Sequence, residues 1–359
     1  MNVKFNELPI PSHFDLDRVG QIWRVPYQQR AGEAQAWARE HQIQPASQDS
    51  KKISLLLVDV QNTFCLPDFE LYVAGRSGSG AVDDNRRLAS FIYRNLHRIN
   101  NITLTMDTHQ TVQIFHSIYL VDDQGRHPDP LTMISVEDVA SNRWRFNPAI
   151  AGSLNINPEY GQEQLMHYTS QLQQNEKYDL TIWPYHAMLG GIGHAVVAAI
   201  EEAVFFHTIA RHSQAGFILK GANPFTESYS AIGPEVLEDS QGKPLGEKTD
   251  RILSLLMSSE ALIIAGQAKS HCVTWTIEDL WKDFQPIDQD LVRRIYLLED
   301  CTSPVVVPGV VDYTEAAEAA FQRFAEAGMH LVRSSESIDH WPGIGAAEAV
   351  KRFQANDKP

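Results

Sequence analysis

From residue 52 onward, short apolar runs alternate with longer stretches whose apolar residues recur three and four positions apart. The runs are ISLLLVDV (53–60), ITLTMD (102–107), GFILKG (216–221), ALIIAG (261–266), RIYLLED (294–300) and MHLVRS (329–334). Unbroken apolar runs of this length read as strands buried on both faces, and the stretches between them as helices packed on a sheet. Those helical stretches are NRRLASFIYRNLHRI, GHAVVAAIEEAVFFHTIARH, KTDRILSLLMSS, HCVTWTIEDLWKDF and YTEAAEAAFQRFAEAG. The alternation predicts a three-layer α/β/α fold around a central six-stranded, mostly parallel sheet with right-handed crossovers.

Three segments stand outside this rhythm. Residues 1–50 form an N-terminal extension with a predicted helix near QQRAGEAQAWAREHQ and a linker, PASQDSKK. Residues 117–177 are rich in Pro, Asn and Gln, too long for a simple loop, and read as a lid or subdomain inserted in a domain spanning 51–340. Residues 341–359 are read as a C-terminal helical tail.

The composition narrows the partners. Of 359 residues, 43% are hydrophobic and 21% charged, which excludes disordered and fibrous classes. A formal charge of -15 disfavours nucleic acid and anionic membrane surfaces, so a small-molecule substrate is expected, with a homo-oligomer left open. The three cysteines, Cys65, Cys272 and Cys301, are too few for a disulfide scaffold. With no signal-like start and no long apolar span, a cytoplasmic location is expected.

In open parallel sheets ligands bind beyond the carboxyl ends of strands, which directs attention to polar residues where the apolar runs stop. Asp59 ends the first run, where the plainer reading is a carboxylate that caps the following turn. Asp107 and His109, two apart, point the same way on an extended backbone, and His116 and His186 offer further imidazoles. A carboxylate with imidazoles suits Zn²⁺, Fe²⁺ or Mn²⁺, whereas an isolated D-x-H can be a plain hydrogen-bonded pair. Lys220 ends the run GFIL, where an ammonium needs an anion unless it reaches solvent. Cys272 lies between a strand and a helix, where the helix dipole favours thiolate, although a small buried cysteine fits there too.

Taken in order, DVQNTF with Asp59, DTH with Asp107 and His109, WPYHAMLGGIG with His186, KGANPFTESYS with Lys220, and GQAKSHCV with Cys272 resemble the isochorismatase-like cysteine hydrolases of the nicotinamidase (pyrazinamidase) type. The resemblance covers roughly residues 52–118 and 178–336. It implies the isochorismatase-like hydrolase fold and a catalytic set of Asp59, Lys220 and Cys272. It further implies an oxyanion hole from the N–H groups of Ala268 and Cys272, with a cis peptide between Gln267 and Ala268. One divalent metal, zinc preferred over iron or manganese, would be held by Asp107, His109 and His186 with His116 as an addition. That metal would bind the pyridine nitrogen of the substrate. Phe64, Trp183 and Tyr229 match positions that wall an aromatic ring, and otherwise read as core aromatics.

The implied activity is hydrolysis of nicotinamide to nicotinate and ammonia through a cysteine thioester, an entry to NAD salvage. The alternatives are another heteroaromatic carboxamide or a ureido or carbamoyl amide on the same machinery, and a non-catalytic metal-binding regulatory protein. This sequence departs from the family pattern at Ala187, where cysteine is common, and at Gln267, where an aliphatic residue is usual.

Overall fold

The structure is a computed structural model that describes residues 7–344. The helical tail expected over 341–359 lies, from residue 345 on, outside the described residues, as do the first six residues of the N-terminal extension. No described helix is long and apolar enough to cross a membrane.

The six apolar runs form one sheet: β1 (Ile53–Val58), β2 (Asn101–Asp107), β3 (Gly216–Lys220), β4 (Ala261–Gly266), β5 (Ile295–Leu298) and β6 (His330–Val332), in the spatial order β6-β5-β4-β1-β2-β3. β1 runs parallel to β2 and β4, and β5 runs parallel to β4 and β6. The central strands β1 and β4 are buried at every residue, which is why they read as unbroken apolar runs. Alternation sends Leu55, Leu57, Ile263 and Ala265 into one core with Phe91, Ile92, Ala203 and Phe206. Leu56, Leu262 and Ile264 point to the opposite face.

Helices α1 (Tyr27–Glu40), α2 (Gly80–Arg94) and α4 (Ala198–Arg211) pack together on one side of the sheet. Helices α5 (Arg251–Ser258), α6 (Thr274–Phe284) and α7 (Thr314–Ala327) pack in sequence as the other layer. The three-layer α/β/α expectation therefore holds. The N-terminal extension is anchored to its layer, with Arg30 of α1 paired to the buried Glu202 at 2.8 Å and Arg211 paired to Asp49.

One predicted helix starts late. Gly193 to Ala195 lie in a turn, with the His194 N–H donating to Gly191 O at 3.1 Å, Val196 bridges Gln61, and the N–H of Val197 donates to Val60 O at 3.0 Å, so the helix begins only at Ala198.

The chain divides into two compact units. The first takes residues up to Thr105, Val196–Ile218 and from Asp250 onward; the second takes Met106–Ala195 and Leu219–Thr249. The second thus contains the whole 117–177 segment together with the ligand-bearing stretches around it. Within it, strand pairs are only two residues long: Leu120–Val121 with Arg145–Phe146, and Met133–Ile134 with Leu180–Thr181.

Its longest element is α3 (Pro158–Gln174), which starts at the Asn157 cap with Pro at the first turn. α3 is tied to the 223–245 loop by polar contacts. The Gln164 amide donates to Phe225 O at 3.3 Å and accepts from the Ser240 N–H at 2.9 Å. Tyr160 Oη donates to Asp239 at 2.7 Å, and Tyr168 Oη accepts the Glu227 N–H at 3.2 Å.

Candidate functional site

In the first unit, Asp59 follows β1 in a left-handed conformation, with φ 46, and is fully buried. A non-glycine residue held there is strained and marks a position fixed by its surroundings. Thr105 of β2 does the fixing: its hydroxyl donates to Asp59 Oδ1 at 2.5 Å and accepts the Asp59 N–H at 3.0 Å. The paired residues Val58 and Gly266 bring Asp59 beside the turn that leaves β4. Gly266 has φ +116, and a Cβ there would meet Val58 O at 2.1 Å, so only glycine permits this approach.

The Gln267–Ala268 bond is cis. Ala268 O then accepts the N–H groups of His271 at 3.0 Å and Val273 at 3.2 Å, winding Lys269–Val273 as a single wide turn ahead of α6. Such i→i+5 turns recur at functional sites. Cys272 stands in this turn, buried at 7% exposure, just before the positive end of the helix. Burial pushes the Cys65 and Cys301 thiols upward, which disfavours the thiolate at both. Phe64 is buried in the short helix Asn62–Cys65.

In the second unit, Asp107, His109 and His186 converge, with one ligating atom of each within 4.8 Å of the others. Asp107 Oδ2 lies 2.8 Å from His109 Nε2 and 3.5 Å from His186 Nε2. The opposite ring nitrogens face backbone carbonyls, which can only accept: His109 Nδ1–H donates to Gly221 O at 3.1 Å, and His186 Nδ1–H to Pro184 O at 2.7 Å. With each Nδ1–H committed to a carbonyl, Nε2 is the ring atom left to ligate a metal, and without an ion His109 Nε2–H donates to Asp107 Oδ2.

Backbone pairing aligns the two ligand-bearing segments. The His109 N–H donates to Ala187 O at 3.0 Å, the Leu189 N–H to His109 O at 2.9 Å and the Trp183 N–H to Phe115 O at 2.8 Å. Gly221 is required beside them, because a Cβ there would lie 2.7 Å from the His109 ring and 2.8 Å from Asp107.

Lys220 Nζ, also buried, reaches Asp107 Oδ1 at 3.0 Å and Ser228 O at 2.8 Å. Burial alone would raise the Asp107 carboxyl, but the charges of His109 and Lys220 override it and hold the group well below the usual carboxylate range. Burial opposes protonation of His109 too, and the adjoining carboxylate outweighs it and raises that imidazole.

His116 does not join the three-residue group. Its ring lies 6.1 Å from that of His109 and 6.2 Å from that of His186. Its Nδ1–H donates to Thr111 O at 3.1 Å, while Nε2 is buried without a hydrogen-bond partner. Burial, followed by the two neighbouring histidines, pushes its pKa down to about 3, so it is a neutral imidazole with an unused lone pair. Trp183 and Tyr229 meet, with the indole N–H donating to Tyr229 Oη at 2.9 Å.

The donor set fits a divalent transition metal: one carboxylate and two oriented imidazoles, fully enclosed, with coordination positions to spare. Two neighbours escaped the sequence reading. Thr105 is a hydroxyl inside a buried strand, two residues before Asp107. Glu227, in KGANPFTESYS, is buried, and desolvation lifts its carboxyl to about 7. A polar residue within an apolar run, and an acid two residues before Tyr229, were the available signals.

No family model matches the chain, and no curated protein matches it. Solved structures do. The Acinetobacter baumanii nicotinamidase/pyrazinamidase is 18% identical with TM-score 0.46, covering 80% of this chain and 99% of that one. The yeast nicotinamidase bound to the inhibitor nicotinaldehyde is 17% identical with TM-score 0.48, covering 78% and 99%. The Pyrococcus horikoshii pyrazinamidase in complex with zinc is 17% identical with TM-score 0.41, covering 79% and 99%.

Proposed function

We propose that this chain is an isochorismatase-like cysteine amidohydrolase that converts nicotinamide to nicotinate and ammonia. The observation that carries the reading is the convergence of Asp107, His109 and His186 with both Nδ1 atoms held by backbone carbonyls. A divalent ion at that site, zinc preferred, supplies a Lewis-acidic contact for a heteroaromatic ring nitrogen. The remaining chemistry belongs to the chain. Asp59 takes the proton of the Cys272 thiol, and Lys220 keeps the acid and thiolate in their charged forms. The thiolate adds to the amide carbonyl, and the N–H groups of Ala268 and Cys272 hold the oxyanion. Collapse expels ammonia with the proton returned by Asp59, and water activated by the same carboxylate hydrolyses the thioester. Phe64, Trp183 and Tyr229 wall the ring.

The test is ammonia release from nicotinamide by the full chain, before and after chelation and with zinc restored. Turnover that chelation abolishes and zinc restores is expected. Release from some other amide in a small panel, with none from nicotinamide, would remove the substrate assignment and keep the mechanism.

A further inference from the structure

Gln267 stands where an aliphatic residue is usual among the proteins that the motifs resemble, yet its side chain is 1% exposed. A buried primary amide costs free energy unless its donors and acceptor are engaged. Here both ends are engaged. Nε2 donates to Asp84 Oδ2 at 2.8 Å, and Oε1 accepts the Ser303 N–H at 3.3 Å.

Asp84 lies on α2, four residues after Gly80, and is itself buried; its other oxygen accepts Arg87 Nη2 at 2.8 Å. The strap continues through the 303–305 segment into the nucleophile turn. Ser303 O accepts the Lys269 N–H at 2.8 Å, and Ser270 Oγ accepts the Val305 N–H at 3.0 Å. α2 is pressed onto this segment at its first residue, since a Cβ on Gly80 would meet Ser303 Oγ at 2.7 Å. The turn carrying Ala268 and Cys272 is thus tied on its outer side to a helix remote in sequence, through hydrogen bonds that meet at Gln267.

We propose that Asp84 is a positioning residue for the nucleophile turn, acting through the Gln267 side chain. The inference rests on the assignment of Cys272 as nucleophile. It makes the polar residue at 267 a replacement for apolar packing: the amide fixes the turn to α2 and to Ser303, and so fixes the directions of the Ala268 and Cys272 N–H groups. Asp84 touches no reacting atom, so its loss should act on the transition state and leave ground-state binding alone.

The experiment compares Asp84→Ala, Asp84→Asn, Gln267→Leu and the Asp84→Ala/Gln267→Leu pair in the full chain loaded with zinc. Nicotinamide hydrolysis and alkylation of Cys272 by iodoacetamide are both followed. Asp84→Ala is expected to lower kcat roughly 10- to 100-fold with KM within about twofold, because small misplacements act on the transition state. Alkylation should slow in parallel. Asp84→Asn, which keeps an oxygen to accept the Gln267 amide, should recover most of both rates. The paired variant should be no slower than Gln267→Leu alone, as expected of groups acting through one another.

Multiplying losses in the pair, or an Asp84→Ala protein with unchanged kcat and alkylation, would overturn the proposal. If the wild type does not hydrolyse nicotinamide, the alkylation rates decide alone, so failure of the substrate assignment stays separate from failure of the strap. Should Asp84→Ala not fold, Asp84→Asn and Gln267→Leu carry the same comparison: slowing in the second and not in the first supports it, and the reverse sinks it.

Discussion

The two units differ in the mix of residues that each buries. In the first, Leu55, Leu57, Ile263 and Ala265 are buried among Phe91, Ala203 and Phe206 in one large apolar cluster, with polar groups such as Asp84, Glu202 and Gln267 buried around it. In the second, Phe115, Leu165 and Ile182 are buried too, but beside a dense polar set of Asp107, His109, Gln113, His116, Gln164, Thr226, Glu227 and Glu235, and strand pairs are two residues long. An apolar core tolerates gradual loss of contact area, whereas a buried polar network fails when one partner is removed. The unit with the candidate metal ligands is therefore the brittle one.

The sharpest way to break this contrast is Asp107→Asn. The substitution keeps the shape and removes the anion shared by Lys220, His109 and His186. It should destabilise the metal-free second unit by about 3–5 kcal/mol, the usual cost of removing one member of a buried pair. Zinc affinity should fall at least about 100-fold with the loss of a ligand. Hydrogen exchange reads the first effect: amides at 108–116 and 183–189 should lose protection while those of β1 and β4 keep theirs. Equal loss in both would show one cooperative body with one kind of core.

The same contrast decided what the sequence could reveal. β1 and β4 were legible because a strand buried on both faces has to be apolar throughout, and Asp107 with His109 was legible because a two-residue spacing puts both side chains on one side of a strand. α3 was not. Its buried stripe runs Gly161, Gln164, Leu165, Tyr168, Thr169 and Leu172, half of it polar, so apolar periodicity is weak although the Asn157–Pro158 start was a usable signal. Gly161 is there because a Cβ would strike the Phe146 ring at 2.4 Å, a contact no local pattern encodes. His186 was legible as a candidate imidazole after a short apolar stretch, but its choice over His116 was not, since its partners lie far away in sequence.

Acidity should separate the units in opposite directions. His207, in the first, is fully buried with Nε2–H donating to Ile99 O at 2.8 Å, and burial pushes its pKa down to about 4. The unfolded chain binds that proton from about 6.5 downward while the folded one does not, so stability falls as pH drops from 6.5 to 4. Glu227, in the second, is lifted by burial to about 7. Its folded form holds a proton that the unfolded form has released, so stability present at pH 4.5 is lost as pH rises through 7. Each effect is on the order of 3 kcal/mol over its window. Exchange from the metal-free protein at several pH values, corrected for intrinsic rates, should show protection of 198–211 rising with pH and of 226–236 falling. His207→Gln should flatten the first and Glu227→Gln the second; slopes of one sign in both units would end the distinction.

The finest probe removes a single oxygen. Tyr168 Oη accepts the Glu227 N–H at 3.2 Å, and Glu227 leads into Ser228, whose carbonyl accepts from Lys220 at 2.8 Å. Tyr168→Phe leaves the ring in place, fully packed in α3, and strands one buried N–H. The expected cost is about 1–3 kcal/mol, confined to the loop that the N–H belongs to. Amides at 226–230 should exchange faster, zinc affinity should fall only a few-fold because the three ligands are untouched, and β1 and β4 should show no change. If the loop keeps its protection, the Tyr168 hydroxyl does not hold it, and the contacts of Gln164 and Tyr160 carry the attachment to α3. If protection is lost along α3 as well, the helix and loop melt as one element, and the second unit has no rigid part apart from its ligands.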